Sequence, residues 1–161
     1  MVKYYVDVES DFPRTKDHFA KLVAQILNDP RSWKVNFQEV NSKQLADMRI
    51  YLVKSNSVTK ICGFTGLSCA DRGPNNIYIN GNRWLHGSKK SKMNLTNYRR
   101  YLINHEVGHL LGFDHLTCAR AGCKSPVMLQ QTLGVGKCLP NPWPTKSEQT
   151  KIPQKYRTKL T

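Results

Sequence analysis

Between positions 105 and 115 the chain sets three histidines and a glutamate within eleven residues, His105-Glu106-Val107-Gly108-His109-Leu110-Leu111-Gly112-Phe113-Asp114-His115. Positions four apart on a helix lie nearly over one another, so His105 and His109 present two imidazoles to one metal ion. Glu106, beside them, is placed to take a proton from a metal-activated water and not to ligate the metal. A catalytic zinc site uses three protein ligands and keeps a fourth position for water. His115 is the expected third ligand, because Gly112 can take the left-handed conformation that ends a helix and turns the chain back. Asp114 falls one residue short of the required offset and is expected to support the ligands or face solvent. The spacing therefore predicts one catalytic Zn2+ held by His105, His109 and His115, with Glu106 as general base.

The pattern HExxHxxGxxH resembles the signature of the metzincin zinc endopeptidases. Met128, in Ser125-Pro126-Val127-Met128, stands thirteen residues after His115 and matches the Met-turn of that clan, a tight turn that places a methionine beneath the metal. Several metzincins carry a tyrosine two residues further on; this chain has Gln130 there and lacks that oxyanion donor. A second resemblance covers more of the chain. The runs Tyr98-Arg99-Arg100-Tyr101-Leu102-Ile103-Asn104, Pro126-Val127-Met128-Leu129-Gln130-Gln131-Thr132 and Pro140-Asn141-Pro142-Trp143-Pro144 are similar to a bacterial family catalogued as a domain of unknown function. Its members are mostly actinobacterial envelope or secreted proteins. Together the resemblances imply an α+β, metzincin-like fold: a twisted mixed β-sheet backing a central zinc-binding helix, and a small irregular C-terminal subdomain with a Met-turn. They imply a zinc-dependent endopeptidase acting on a protein or peptide, without naming which.

Around that centre the elements follow from pattern. Lys3 to Glu9 alternates as a first strand, and a helix follows with Thr15 as cap and Phe19, Leu22, Val23, Ile26 and Leu27 at helical spacing. Val35 to Val40 and Met48 to Val53 read as strands, Thr59 to Phe64 as a weaker one and Ile77 to Asn80 as a clearer one. One of the last two is expected to be an edge strand beside the cleft. Gly81 to Met93 reads as an exposed, mobile loop with Trp84 anchoring it to the core. The zinc helix is expected from Asn97 to Leu111 with Thr96 as cap, apolar on two sides and so buried between layers.

At 161 residues the chain is long enough for one domain with its own core. An upper subdomain is expected over 1–112, a lower one over 113–144 held by a disulfide and Trp143, and a basic tail, surface-docked or frayed, over 145–161. Cys62 and Cys69 suit a small closed loop, and Cys118 with Cys138 would tie the segment after His115 to the exit of the Met-turn. Cys123 is left over. The alternative, a structural zinc held by Cys118, Cys123, Cys138 and His115, lacks the tight CxxC knuckles such sites use.

No apolar run approaches the ~20 residues of a membrane span. Met1-Val2-Lys3-Tyr4 leads straight into a strand, so the cysteines suggest an extracellular or envelope protein read as a mature fragment; a cytoplasmic chain is the alternative. The net charge of +14, with clusters at Lys89–Lys92, at Arg99-Arg100 and from Lys146 to Lys159, reads first as a solvated basic surface and also fits weak contact with an anionic partner such as an envelope polymer. No nucleic-acid module accompanies it, and a monomer is expected. Two further functions fit these residues: a non-catalytic zinc-containing envelope-binding module using its basic surface, and a hydrolase of another amide such as a peptidoglycan crosslink.

Overall fold

The computed structural model describes residues 1–157; Lys159, the last of the basic cluster expected in the tail, lies outside them. Five strands form one mixed sheet: β1 (Val2–Val8), β2 (Phe37–Glu39), β3 (Met48–Val53), β4 (Cys69–Asp71) and β5 (Asn76–Asn80), in the order β2-β1-β3-β5-β4. β2, β1, β3 and β5 run parallel, and β4 pairs antiparallel with β5 at the edge. Register follows the apolar alternation. Val6, Ile50 and Ile77 align across three strands and are almost completely buried. Their neighbours Tyr5, Tyr51 and Tyr78 form a half-buried aromatic ladder on the opposite face, with Tyr51 stacked on Tyr78 at 5.7 Å. A parallel sheet covered on both faces would read as continuous apolar runs; the alternation here matches a sheet whose helices cover one face.

Two helices supply that cover. α1 (Lys16–Leu27) is capped by Thr15, whose hydroxyl accepts from His18 N, and buries Phe19, Val23, Ile26 and Leu27 against β1. α4 (Leu95–Leu110) crosses β4 and β5 and is buried along most of its length. Each aliphatic side chain fully removed from water here contributes roughly 1.5–3 kcal/mol.

Several expectations need correction. Thr59 to Phe64 is not a strand: α2 (Ser55–Cys62) occupies that stretch. Its β-branched residues favour extended structure, but the Glu9 carboxylate binds Lys54 N at 2.8 Å and Ser57 Oγ at 2.7 Å, satisfying the helix start from the end of β1. The edge beside the cleft is β4, and Ile77–Asn80 lies inside the sheet. Gly81 to Met93 is not a mobile loop. α3 (Gly81–His86) starts there, capped by Asn80, with Trp84 fully buried edge-on against Phe19 at 4.9 Å, as the anchor reading required. α4 starts earlier than expected, with Asn94 and not Thr96 as its cap.

The region after α4 has little regular structure. A short ladder brings Lys124 beside Leu139, and the tail forms α5 (Lys146–Thr150), opened by a Thr145–Glu148 capping box. That tail is docked, with Glu148 2% and Ile152 3% exposed. Disulfides join Cys62 to Cys69, closing the α2–β4 loop, and Cys118 to Cys138; each contributes about 2–4 kcal/mol by restricting the unfolded chain. Among the described residues no helix is long and apolar enough to cross a membrane.

Candidate metal centre

The last turns of α4 and the segment after it bring His105, His109 and His115 together, with one ring nitrogen from each within 4.8 Å of the others. Helical spacing places the first two. The third arrives through a turn in which Gly112 has φ 107°, Gly112 N donates to His109 O at 3.1 Å and Phe113 N to Gly108 O at 3.0 Å. This is the paired bonding of a Schellman stop, and it needs a residue without a Cβ at Gly112. His115 Nε2 then lies 3.2 Å from His109 Nε2.

The two helical rings are oriented by backbone carbonyls. His105 Nδ1 donates to Val127 O at 2.7 Å and His109 Nδ1 to Phe113 O at 2.8 Å. A carbonyl only accepts, so both Nδ1 atoms carry the proton and both Nε2 atoms present a lone pair. Burial, reinforced by the neighbouring His109 ring, pushes His105 down to about 3. Burial also lowers His109 and His115. Three neutral imidazoles are the protonation state a divalent metal requires.

Glu106 is 4% exposed, and its Oε2 has no hydrogen-bond partner. Burial pushes its carboxyl up to about 8. A buried carboxyl left unpaired costs free energy, and such groups concentrate at sites of proton transfer. The donor set and this orphaned atom together fit a zinc ion held by three histidines with a carboxylate beside it.

All four side chains line one cleft of about 660 Å³. Its opposite wall is β4 with Arg72, and its lip carries Ile61 and Phe64, which are 51% and 59% exposed. Gln130 also lines the cleft. Met128 is fully buried beneath α4, where a Cβ on Gly108 would run into its Sδ and into Trp33. The glycine inside the histidine motif is therefore a packing requirement.

Sequence reasoning missed three contributors. Arg72 donates to His109 O at 2.8 Å and Phe113 O at 2.7 Å, clamping the turn that delivers His115, and pairs with the exposed Asp114 at 3.1 Å. A lone arginine in a loop gives no local signal for this. Asn104, fully buried on α4, accepts from Ser32 Oγ at 2.9 Å and donates to Pro142 O at 3.1 Å. Glu148 binds the backbone of the Met128 turn, and its signal was legible as Thr-x-x-Glu.

The cysteine cluster is separate. The sulfurs of Cys118, Cys123 and Cys138 lie within 4.8 Å of one another, but the Cys118–Cys138 bond occupies two of them and His115 is not among the group. Cys123 remains a thiol, 3.4 Å from Cys138 Sγ.

No curated protein matches the chain. Residues 1–145, which carry the three histidines, Glu106 and Met128, match the model of a family described as a protein of unknown function (DUF3152), and the chain belongs to that family.

Proposed function

We propose that this chain is a zinc-dependent endopeptidase of metzincin-like design. The observation that carries the reading is the convergence of three imidazoles in one cleft beside a buried carboxyl whose Oε2 has no hydrogen-bond partner. His105, His109 and His115 would hold the ion. Bound there, zinc supplies a Lewis acid that lowers the pKa of water toward neutrality and polarises a carbonyl.

The remaining work belongs to the protein's own side chains. The Glu106 carboxylate would take the proton of the attacking water and return it to the departing amine, a role that suits its place in the cleft beside the three histidines. Val127 O and Phe113 O hold the two helical imidazoles in the ligating tautomer. Met128 reads as the Met-turn methionine because it supports α4 from below at Gly108. The outer edge of β4 borders the cleft, and an extended peptide can add to such an edge through main-chain hydrogen bonds. Two disulfides favour an oxidising, extracytoplasmic compartment.

Replacement of Glu106 by Gln keeps the shape and removes the base. The expected outcome is unchanged zinc content by elemental analysis and turnover of a mixed peptide library lowered roughly 10²–10⁴-fold. A variant that cleaves as well as the parent would refute the mechanism.

A further inference from the structure

The tail beyond residue 145 enters the metal centre through the backbone. Glu148 is 2% exposed, and both of its carboxylate oxygens are engaged. Oε1 accepts from Val127 N at 2.9 Å, Thr145 N at 2.9 Å and Thr145 Oγ1 at 3.0 Å; Oε2 accepts from Met128 N at 3.0 Å. Met128 N–H and Val127 C=O belong to one peptide group. Its N–H end points at the Glu148 carboxylate, while its C=O end accepts from His105 Nδ1 at 2.7 Å.

A carboxylate, one peptide unit and an imidazole thus form a continuous chain of hydrogen bonds ending at the Nε2 lone pair of His105. Hydrogen bonds in such a chain polarise one another, the more so in a buried, low-dielectric setting. Negative charge at the N–H end of a peptide draws electron density toward its carbonyl oxygen. A more negative oxygen holds the Nδ1 proton more strongly and makes the opposite nitrogen a better donor to a cation. Histidine ligands in metal sites commonly receive this support from a carboxylate touching the ring itself. Here the carboxylate lies one peptide away.

We infer that Glu148 is a positioning residue for the metal centre: through the Val127–Met128 peptide it fixes the tautomer and orientation of His105 and strengthens it as a ligand. The geometry favours this over plain support of the turn. Glu148 Oε1 alone would close the capping box and hold Val127 N, whereas Oε2 is committed to Met128 N, in the peptide whose carbonyl accepts from His105. The strengthening of a metal ligand rests on the zinc reading above, but the hydrogen-bond relay does not.

The test uses the full chain, uniformly 15N-labelled and observed by NMR without metal, and compares the parent with Glu148→Gln. In the parent, the His105 Nδ1 proton is expected as a slowly exchanging, strongly downfield signal. In the variant it moves upfield or broadens by exchange with water, while the rest of the spectrum stays folded. Zinc affinity, measured by chelator competition, falls about 10-fold, whereas Ile50→Val, a control placed in the core of the sheet, leaves affinity unchanged. An unmoved His105 signal in a folded Glu148→Gln overturns the inference, as does a loss of affinity matched by Ile50→Val. A moved signal in a protein whose parent takes up no zinc upholds the relay and overturns the zinc reading. If Glu148→Gln does not fold, the parent alone decides. Met128 N–H shifted downfield and protected from exchange supports the relay, and an ordinary, unprotected Met128 amide overturns it.

Discussion

The sheet and its helices, and the irregular region from 113 to 157, satisfy the same physical requirement by opposite means. Every buried backbone N–H and C=O needs a partner. In the upper region strand ladders and helix turns provide those partners, so side chains such as Ile50, Leu52, Ile77 and Ile79 are free to be apolar. The lower region has almost no ladder of its own, and buried polar side chains act as its backbone partners. Gln131, fully buried, donates to Pro126 O and Asn141 O and accepts from Asn141 N. Asn141 donates to Ser125 O at 2.9 Å and Trp143 O at 2.7 Å and accepts from Trp143 N. The turn holding Met128 and Val127 O is set by these few groups. An apolar core loses stability in proportion to volume removed; a polar scaffold fails at single atoms.

That difference sets the size of mutational effects. Asn141→Ala strands two carbonyls and one amide in a buried setting, at about 1–3 kcal/mol each when no partner replaces them. The expected total is about 3–5 kcal/mol in urea unfolding. Ile50→Val, at the centre of the sheet, should cost only about 1 kcal/mol. Similar losses from the two substitutions would mean that water or rearrangement supplies the missing partners and that the contrast is false.

Gly108 sharpens the comparison because the two regions meet there. Alanine is ordinarily the better helix former, by about 1 kcal/mol. At this position its Cβ would run into Met128 Sδ and Trp33, so Gly108→Ala should destabilise by about 2 kcal/mol through overpacking. Adding Met128→Ala should recover part of that loss. A cycle with no coupling between the two sites would show that the methionine does not support the helix at this point.

What the sequence made legible follows the same division. The histidine cluster was readable because its geometry is local: i, i+4 spacing on a helix and a glycine stop fix His105, His109 and His115 within one stretch. β3 was readable by alternation, and its limits came out as Met48–Val53. β4 was not, because Cys69, Ala70 and Asp71 are a strand only through pairing with β5. Arg72 acquires its role only once that pairing carries it to the end of α4. In α2, Thr59 and Ile61 suggest extended structure, and the deciding partner, Glu9, lies far away in sequence. The tail reads from its charge as surface-docked or frayed; Thr145 and Glu148 stand in it at the spacing of a capping box, and Glu148 reaches the backbone at Val127 and Met128.

The start of α4 offers the smallest and cleanest test of that division, because two capping residues compete there in sequence. Asn94 and Thr96 are both of a type that caps helices. The structure uses Asn94, whose Oδ1 accepts from Asn97 N at 2.8 Å, while Thr96 falls inside the first turn with no capping bond. Asn94→Ala should therefore cost about 1 kcal/mol. Thr96→Ala should be neutral or slightly stabilising, since alanine has the higher helix propensity once the hydroxyl has no capping role. Neither residue lines the cleft that holds the histidines, so any zinc uptake or peptide turnover found for the parent is expected unchanged in both. Urea unfolding of the two variants separates the assignments by sign: a larger loss at Thr96 would place the helix start two residues later, where apolar periodicity alone puts it.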